Sequence, residues 1–362
     1  MSQQVPRVKI WGNLLTEVVR TNLCVSCGTC VAVCPVASIS MVDDKPNLTS
    51  ICIACGMCYN NCPRSGFSEP EIEEKVFGRR RREDDEQYLG VYHALYSARS
   101  KDENILSRSQ DGGAVTSMLT QLMRDDPEYC MVVTGLEKQW HPIPVVATST
   151  DQLLDCSGTK YTPSPVIEGL RAAVQRYKKE YSWIKKVAVV GTACQMRGTR
   201  KMQCSSYVPV RLTESTQLGI GLFCFETFDY KSLMDYLKQE QLDPARITRF
   251  EIKKGRFKVF EKDQVLHDVP VRKTEKMVRS CCQSCTDFTS EFSDLSVGSV
   301  GSPDGWCTII VRTEKGERAL DRAAKGGLLE VKPLEEVEPG LKEIVRLVKL
   351  KRERAEKSKE KK

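Results

Sequence analysis

Two repeated cysteine runs near the amino terminus constrain this chain more than any other feature of its sequence. Each follows the pattern Cys-x2-Cys-x2-Cys-x3-Cys-Pro, the first over residues 24–35 and the second over residues 52–63. The chain has seventeen cysteines but only three histidines. The opening MSQQVPRVKI lacks the apolar core of an export signal, so we expect a reducing cytoplasm in which thiols stay unpaired. Thiolate-bound metal is therefore the expected use of these cysteines.

The spacing predicts two [4Fe–4S] clusters, because three closely spaced thiolates bind one cluster while the fourth cysteine of the run crosses to the other. The ligands predicted for the first cluster are Cys24, Cys27, Cys30 and Cys62, and those for the second are Cys52, Cys55, Cys58 and Cys34. Zinc sites also use Cys-x2-Cys pairs, but they normally separate the pairs by a longer stretch than is found here. A ferredoxin-like electron-transfer module is thus expected, although it does not identify the reaction.

The remainder of the chain predicts a mixed fold of the α/β (α+β) class. From about residue 90, short apolar segments with strand character alternate with amphipathic helices, and a hairpin is expected around Lys254-Gly255. The predicted divisions are 1–67 for the two-cluster domain, 68–90 for a charged linker, 91–340 for a larger domain and 341–362 for a basic helix or tail. The segment 69–86 mixes both signs of charge, which favours a solvated linker or surface helix over a nucleic-acid site.

Four further cysteines stand where strands are expected to give way to loops. Cys194 and Cys224 each follow a short apolar strand, and Cys282 and Cys285 form a Cys-x2-Cys pair in a loop. Together they could hold a third [4Fe–4S] cluster. Spacing alone leaves two alternatives open, which are a zinc site and small buried thiols that only pack in the core.

Three glycine-rich loops accompany these cysteines, although the usual nucleotide-binding fingerprints are missing. The loops are Gln110-Asp111-Gly112-Gly113, Gly158-Thr159-Lys160-Tyr161, and GSVGSPDGW over 298–306. Gly112-Gly113 precedes a predicted helix, whose free backbone N–H groups would suit a phosphate. Each loop taken alone is also consistent with an ordinary turn.

Taken together, these segments resemble the family of F(420)-reducing hydrogenase beta subunits over about residues 91–345. The segments that carry the resemblance are 110–113, 158–161, Ala193-Cys-Gln195, Gly221-Leu-Phe-Cys-Phe-Glu226, Cys282-x-x-Cys-Thr-Asp-Phe288 and 294–306. The family implies an FAD-binding α/β domain with one [4Fe–4S] cluster, which exchanges hydride with the deazaflavin coenzyme F(420). On the matching positions the cluster ligands would be Cys194, Cys224, Cys282 and Cys285, with Cys281 as a competitor of Cys282.

The resemblance also implies an FAD site on the three glycine-rich loops. The residues implied are Gln110, Asp111, Gly112, Gly113, Thr116, Gly158, Thr159, Lys160, Tyr161, Gly298, Ser299, Gly301, Asp304 and Gly305. Reduced F(420) gives up two electrons only as hydride, whereas iron–sulfur clusters accept one electron at a time, so a flavin must stand between them. No side-chain nucleophile is expected. Lys254, Arg256 and Lys160 are candidates to meet the anionic F(420) tail, with a simple solvated surface as the alternative.

The two-cluster module in front of this domain resembles the F subunit of F(420)H2 dehydrogenases, the electron-input subunit of complex I-like respiratory enzymes. That resemblance implies oxidation of reduced F(420) and a partner complex that reduces a quinone or methanophenazine. The alternatives are a beta subunit of a formate dehydrogenase or hydrogenase, a flavin-free iron–sulfur adaptor, and a relative that uses ferredoxin to reduce an organic substrate. We expect a cytoplasmic location, or attachment to the inner face of the membrane through partner subunits, without a transmembrane segment.

The remaining cysteines and the net charge complete the prediction. The cysteines left as packing residues are Cys130, Cys156, Cys204, Cys281 and Cys307. The net charge of +7 lies almost wholly in residues 341–362, where ten Lys and Arg accompany four Glu. Apolar residues of this tail are confined to its start, so we expect a helix that docks through Ile344 and Val348 and frays beyond them. The tail therefore predicts docking, either to a partner or to an anionic membrane surface.

Overall fold

The structure is a computed structural model that describes residues 8–179 and 182–360, without the side chains of 176–179. Its strands are β1 (Ile39–Val42), β2 (Lys45–Leu48), β3 (Ala94–Ser100), β4 (Tyr129–Leu136), β5 (Pro142–Ala147), β6 (Lys186–Thr192), β7 (Thr216–Leu222), β8 (Arg249–Lys253), β9 (Arg256–Glu261), β10 (Gln264–Pro270), β11 (Leu295–Gly298), β12 (Cys307–Val311) and β13 (Leu329–Pro333). Its α-helices are α1 (Trp11–Leu14), α2 (Thr29–Ala32), α3 (Met57–Asn60), α4 (Glu69–Phe77), α5 (Glu86–Leu89), α6 (Glu103–Arg108), α7 (Ala114–Asp125), α8 (Thr150–Asp155), α9 (Glu168–Lys179), α10 (Ala193–Cys204), α11 (Val210–Ser215), α12 (Tyr230–Gln239), α13 (Ser280–Gln283), α14 (Glu314–Lys325) and α15 (Leu341–Glu360). The predicted mixed α/β architecture is confirmed.

The central sheet has eight strands in the order β13-β3-β12-β11-β7-β6-β4-β5. Strands β11, β7, β6 and β4 run parallel to one another, and antiparallel neighbours flank them on both sides. The near-continuous apolar sequences of β6 and β7 suit this position, because parallel strands are covered by helices on both faces. We call the edge where β6, β7 and β11 end, at Thr192, Leu222 and Gly298, the carboxyl edge. Open α/β sheets bind their ligands at this edge.

Helices cover the two faces of the sheet. On one face, α7 and α14 pack together and against the strands, with Met118 and Leu320 buried among them. On the other face, α9 contacts β4 and β5 through the buried Leu170 and Ala173. The amino-terminal module lies on the α9 side, where Cys27 and Val33 belong to the same apolar cluster as α9. The module therefore packs against the larger domain and shares an apolar core with it.

A small antiparallel sheet of β8, β9 and β10 stands apart from the central one. The predicted hairpin at Lys254-Gly255 is confirmed, since Lys253 pairs with Arg256 and both turn residues have positive φ. Phe250 and Phe257 stack in the core that this sheet forms with α12. This layer brings the end of β8 toward the carboxyl edge of the central sheet.

Much of the charged segment 68–90 is exposed, as expected of a surface helix, but two of its acidic side chains are buried. The segment forms α4 and α5, and the side chains of Glu73 and Glu86 are 3% and 0% exposed. Arg81 binds Glu73 and also reaches Glu291 of the larger domain at 2.7 Å, while Arg79 binds both oxygens of Glu86. Opposite charges within one segment can neutralise each other in a buried network, and composition does not distinguish that outcome from a solvated surface.

The basic tail forms the single long helix α15. Its start docks as predicted, because Ile344 and Val348 are fully buried. The docked part is longer than expected, since Lys351 and Ala355 are also buried and Arg352 donates to the Gln87 carbonyl at 2.8 Å. Within the described ranges, no helix is both long and apolar enough to cross a membrane.

Candidate redox site

The amino-terminal module has two cavities, and each is lined by one predicted set of four cysteines. A cavity of about 360 Å³ is lined by Cys24, Cys27, Cys30 and Cys62, with Leu14, Val18 and Met41 among its apolar walls. A second cavity of about 310 Å³ is lined by Cys34, Cys52, Cys55 and Cys58, with Trp11, Val36 and Ile53. Each set joins three cysteines of one run to the last cysteine of the other, as the crossed arrangement requires. We call the first set the inner site and the second the outer site.

The two sites are built on the same local backbone. Ser26 and Ala54, at equivalent places in the two runs, both have φ +54°, and Gly28 and Gly56 have φ +83° and +79°. The glycines are required for a second reason, since a Cβ at Gly28 would lie 2.6 Å from the Pro165 carbonyl oxygen. The repeat in sequence is therefore also a repeat in conformation.

Backbone N–H groups donate to four of the eight sulfurs. The donor and acceptor pairs are Ser26 to Cys24 at 3.5 Å, Ala54 to Cys52 at 3.4 Å, Ser38 to Cys34 at 3.3 Å and Arg64 to Cys62 at 3.4 Å. Hydrogen bonds to the sulfurs of iron–sulfur sites stabilise their negative charge and help to set the reduction potential. The pairs occur in both runs, so the two sites have matching support.

Burial makes these thiols hard to ionise without a metal. It raises the pKa of Cys27 and of Cys58 to about 12 and that of Cys62 to about 11. A coordinated thiol loses its proton outright, so bound metal reverses this effect. In residues 8–179 and 182–360, no three His, Cys, Asp or Glu side chains converge closely enough for a single ion. A cubane needs no such convergence because each thiolate binds a different iron, and the two cysteine-lined cavities fit such a group.

The four cysteines of the predicted third site lie around the carboxyl edge. Cys194 is the second residue of α10, directly after β6, and Cys224 lies two residues beyond the end of β7. Cys282 lies in α13, and Cys285 follows it in the loop that leads to β11. Strands β6 and β7 are adjacent and parallel, so Cys194 and Cys224 follow neighbouring strand ends. Hydrogen bonds join the other pair to them, since the Cys224 amide donates to the Phe288 carbonyl at 2.9 Å and the Arg279 amide donates to the Thr227 carbonyl at 3.1 Å. The amino end of α10 also favours a thiolate at Cys194 through its free amides.

These four thiols affect one another electrostatically. Burial raises the pKa of Cys194 to about 12, and Cys285 and Cys282 raise it further. Burial also raises the pKa of Cys224, with added contributions from Cys282, Cys194 and Cys285. Hydroxyl groups accompany the sulfurs, since Thr192 Oγ1 lies 3.3 Å from Cys194 Sγ. The structure thus brings together the four cysteines that the sequence had placed far apart.

Cys281 and Cys282 have different surroundings. Cys281 is 2% exposed, and its hydrogen bond to Cys282 lowers the pKa of Cys282. Cys282 influences both Cys194 and Cys224, and its Sγ lies 3.5 Å from Thr227 Oγ1. These contacts favour Cys282 as the ligand and Cys281 as its neighbour, and the ligand role itself stays a prediction.

The contacts also order the three sites. Cys27 of the inner site raises the pKa of Cys194 in the third site, so these two sites are neighbours. Cys58 of the outer site likewise raises the pKa of Cys30 in the inner site. Cys52 of the outer site is exposed to solvent. The order is therefore third site, inner site, outer site and then the protein surface.

The glycine-rich loops meet at the same carboxyl edge, next to the third site. The Ser100 amide at the end of β3 donates to the Gly112 carbonyl at 2.7 Å. Lys253 of β8 bridges the first and third loops, lying 3.5 Å from Asp111 and 3.0 Å from Asp304. The second loop joins them through Ser157, whose Oγ lies 3.4 Å from Thr116 Oγ1 on α7. All three predicted flavin loops are thus in one place.

Two features of these loops suit an anionic or polar ligand. Helix α7 begins after Gly113 without any side-chain cap, which suits a phosphate, and the amides of Gly113 and Ala114 also face the Cys307 thiol. Gln110 Oε1 is buried and has no hydrogen-bond partner among the described residues. Buried acceptors are nearly always satisfied, so an unpartnered one indicates a missing ligand or water.

Packing accounts for some of the predicted flavin residues without any ligand. A Cβ at Gly112 would lie 2.7 Å from the Ala98 carbonyl oxygen, and one at Gly301 would lie 2.7 Å from Ile344 Cδ1. The Tyr161 hydroxyl accepts a hydrogen bond from the Ile252 amide at 2.9 Å, which joins the second loop to the small sheet. These residues shape the site whether or not they touch a cofactor.

The three candidates for the F(420) tail differ in their surroundings. Lys254 and Arg256 are exposed and bind Asp304 at 3.2 Å and Asp268 at 2.6 Å. Lys160 is more enclosed, and its Nζ donates to main-chain carbonyls, including that of Ser157 at 2.8 Å. Burial lowers the pKa of Lys160 to about 8. Lys160 is the candidate whose charge has no carboxylate within 4.0 Å in the described residues.

Basic residues from other parts of the chain contact the segments that carry the predicted ligands, which the sequence did not indicate. Four of them donate to the main-chain carbonyl of a predicted ligand, with Arg171 on Cys34 at 2.7 Å, Lys201 on Cys62 at 2.7 Å, Arg279 on Cys24 at 3.2 Å and Lys351 on Cys224 at 2.6 Å. None of the four has a carboxylate within 4.0 Å, as far as the described residues show. They are scattered along the chain and contact backbone atoms, so no motif marks them.

Three family models match the chain. Two of them describe the amino-terminal and the carboxyl-terminal parts of the coenzyme F(420) hydrogenase/dehydrogenase beta subunit, and they match residues 95–171 and 184–337 respectively. A 4Fe-4S dicluster domain model matches residues 17–63, which contain both cysteine runs. The first two matches cover most of the central sheet, and the third covers the inner and outer sites.

Individual relatives agree with these matches. The chain is 38% identical to the beta subunit of the coenzyme F(420) hydrogenase of Methanothermobacter thermautotrophicus, over 75% of this chain and 95% of the relative. It is 32% identical to the F subunit of the F(420)H2 dehydrogenase of Methanosarcina mazei, over 93% of this chain and 92% of the relative. Among solved structures, a chain of the xenon-derivatised F(420)-reducing [NiFe] hydrogenase complex of Methanosarcina barkeri matches with a TM-score of 0.70 and 37% identity. That match covers 76% of this chain and 93% of the other.

Proposed function

The chain belongs to the family of coenzyme F(420) hydrogenase/dehydrogenase beta subunits, and on that premise we propose that it oxidises reduced F(420) and passes single electrons to a partner complex. At the coarser level it is a subunit of an F(420)-dependent oxidoreductase and has an iron–sulfur domain. The observation that carries the finer proposal is the unbroken succession of three cysteine sites from the carboxyl edge to the surface. The match to the F subunit of a dehydrogenase over 93% of the chain supports it, because that match includes the amino-terminal module.

The proposed cluster ligands follow from the three sites. Cys24, Cys27, Cys30 and Cys62 would hold the inner cluster, and Cys34, Cys52, Cys55 and Cys58 the outer one. Cys194, Cys224, Cys282 and Cys285 would hold the third. The apolar walls of the inner cavity limit the access of water, which keeps the reorganisation that accompanies each electron small.

The three glycine-rich loops would hold FAD beside the third cluster. The uncapped start of α7 would receive its diphosphate, and the unpartnered Gln110 Oε1 would accept a hydrogen bond from it. Bound FAD would supply the conversion between a hydride and two single electrons. The chain's own part is to hold the two ring systems against each other, to exclude water, and to set the charge around the site.

Electrons would leave from the outer site. Val36 and Ile53 line its cavity and are 44% and 57% exposed, and Ile51, directly before the ligand Cys52, is 84% exposed. Apolar side chains exposed around a terminal redox site favour docking of a partner protein. We propose that the partner belongs to a complex that reduces a quinone or methanophenazine, at the inner face of the membrane. In the basic helix α15, Lys351 and Arg352 face the protein, so their charges are not available for that docking.

The test uses the full chain, purified and reconstituted without oxygen. Bound flavin, about twelve irons per chain and oxidation of F(420)H2 with an artificial acceptor are expected. Cys285→Ala should still allow F(420)H2 to reduce the flavin, while the inner and outer clusters stay oxidised. Cys204→Ala is the matched control, because this half-buried cysteine is not a predicted ligand. Undiminished reduction of the inner and outer clusters in Cys285→Ala would remove the third site from the path.

The same preparation separates the alternatives. A chain without flavin that leaves F(420)H2 unchanged would be an iron–sulfur adaptor, and the proposed enzyme function would fail. Activity with F(420) but co-purification with a hydrogenase or formate dehydrogenase would keep the chemistry and replace the partner. Activity with an organic substrate and reduced ferredoxin, but not with F(420), would assign the remaining alternative.

A further inference from the structure

We propose that Lys351 is a positioning residue for the third cluster, whose negative charge it compensates and whose reduction potential it raises. The inference rests on the proposed function only in that Cys194, Cys224, Cys282 and Cys285 must hold a cluster. Lys351 lies in α15, which begins beyond the carboxyl-terminal family match ending at residue 337.

The ammonium group of Lys351 is aimed at the ligand segments. The residue is 1% exposed, and its Nζ donates to the Cys224 carbonyl at 2.6 Å and to the Asp287 carbonyl at 2.7 Å. Cys224 is a proposed ligand, and Asp287 lies two residues after the ligand Cys285. The lysine therefore connects the loop after β7 to the loop before β11 directly behind their sulfurs.

This buried charge lacks an anionic partner of its own. No carboxylate lies within 4.0 Å of Lys351 Nζ among the described residues, and the Asp287 carboxylate accepts the Glu291 amide at 3.1 Å instead. Two neutral carbonyls offset only part of the cost of burying an ammonium group. A [4Fe–4S] cluster with four thiolates carries a charge of about −2 when oxidised and about −3 when reduced. The cluster is therefore the anion that the lysine lacks.

The direction of the effect follows from these charges. Reduction adds one electron to the cluster and forms or breaks no bond, so its negative charge increases by one. A nearby positive charge stabilises the reduced state more than the oxidised state, because attraction grows with the charge it acts on. Burial strengthens this difference, since little water screens it. Lys351 should therefore raise the potential of the third cluster and help it to accept electrons.

Comparison with the other three cations predicts where the effect is largest. Arg171, Lys201 and Arg279 also donate to ligand carbonyls, but each is partly exposed, so solvent screens its charge. Lys351 is the fully buried member of the set. Its removal should change the third cluster and leave the inner and outer clusters nearly unaffected.

The experiment is a redox titration followed by electron paramagnetic resonance on the full reconstituted chain. The third cluster is identified as the signal that Cys285→Ala removes. In Lys351→Met the reduced-to-oxidised ratio of that cluster at fixed potential should fall at least tenfold, which is 59 mV for a one-electron couple. Lys357→Met on the exposed side of the same helix is the matched control, and it should leave all three midpoints unchanged.

Two further variants separate charge from hydrogen bonding. Lys351→Gln keeps a donor without the charge and should shift the midpoint as Lys351→Met does, whereas Lys351→Arg should keep the original midpoint. An unchanged midpoint in Lys351→Met or Lys351→Gln, with all three clusters present, would overturn the proposal. If Met and Gln both lose the third cluster, retention of the cluster and its midpoint by Arg supports the proposal, and loss by all three variants overturns it. A parent chain that binds about eight irons, and so no third cluster, would refute the proposed function itself.

Discussion

Gly28 joins the amino-terminal module to the larger domain, and its replacement by alanine tests whether this contact holds the inner site in position. A Cβ there would lie 2.6 Å from the Pro165 carbonyl oxygen and 2.7 Å from the Glu168 nitrogen. The φ of +83° adds a conformational penalty of about 1–2 kcal/mol for alanine. Overpacking against neighbouring backbone adds about 1–3 kcal/mol. We therefore expect Gly28→Ala to lower the free energy of unfolding by about 2–5 kcal/mol.

The assay is anaerobic urea unfolding of the cluster-loaded chain, followed by the visible absorbance of the clusters. With a slope of about 2–3 kcal/mol per molar urea, the midpoint should fall by about 0.7–2.5 M. Gly78→Ala is the control, because Gly78 has φ +71° at the end of α4 but nothing within 4 Å of an added Cβ. It should lose only the conformational part. Equal shifts for the two variants would refute the claim that the backbone contact at Gly28 matters.

Three further predictions concern ligand crossing, a buried ion pair and the flavin site. If the cysteines cross, Cys24→Ala combined with Cys62→Ala should lose no more iron than either change alone, which leaves about eight of twelve irons. An iron content near four in the double variant would instead indicate uncrossed ligands. Arg200 binds Asp294 at 2.8 Å with both side chains buried, so Arg200→Met should cost about 3–5 kcal/mol in urea unfolding. A cost near zero would show that Asp294 is satisfied by its other donors. Gln110→Ala should weaken flavin binding several-fold, because one hydrogen bond contributes about 1 kcal/mol. Flavin titration of the deflavinated chain measures this, and unchanged affinity would place the flavin away from Gln110.

Agreement between sequence and structure is close wherever the signal is local. The Cys-x2-Cys-x2-Cys spacing limits how far apart the sulfurs can be, so both four-cysteine sets follow from counting residues and knowing the crossed pattern. The hairpin at Lys254-Gly255 is also a local feature, and the structure has it where it was expected. Composition did not show that Glu73 and Glu86 of the segment 68–90 are buried, because a residue's charge does not say what lies across from it.

The tail shows the same limit. Its apolar start predicted docking correctly, but nothing in the sequence distinguishes Lys351 from the solvated lysines around it. Only the fold shows that it turns toward the Cys224 and Asp287 carbonyls. Its partners lie 127 and 64 residues away. They are main-chain carbonyls, which every residue has, so residue type does not reveal them.

The sequence by itself determined the chemistry of this protein: thiolate sites of ferredoxin type, a third cysteine set, and glycine-rich loops of one enzyme family. These are properties of residue type and short spacing, and they persist wherever the segments are placed. The tertiary structure alone decided the order of the sites, with Cys27 beside Cys194 and the exposed Cys52 at the far end. It also decided which cations donate to the main-chain carbonyls of the predicted ligands. Both depend on the packing of segments distant in sequence, where the position of each charge relative to water and to other charges sets its energy.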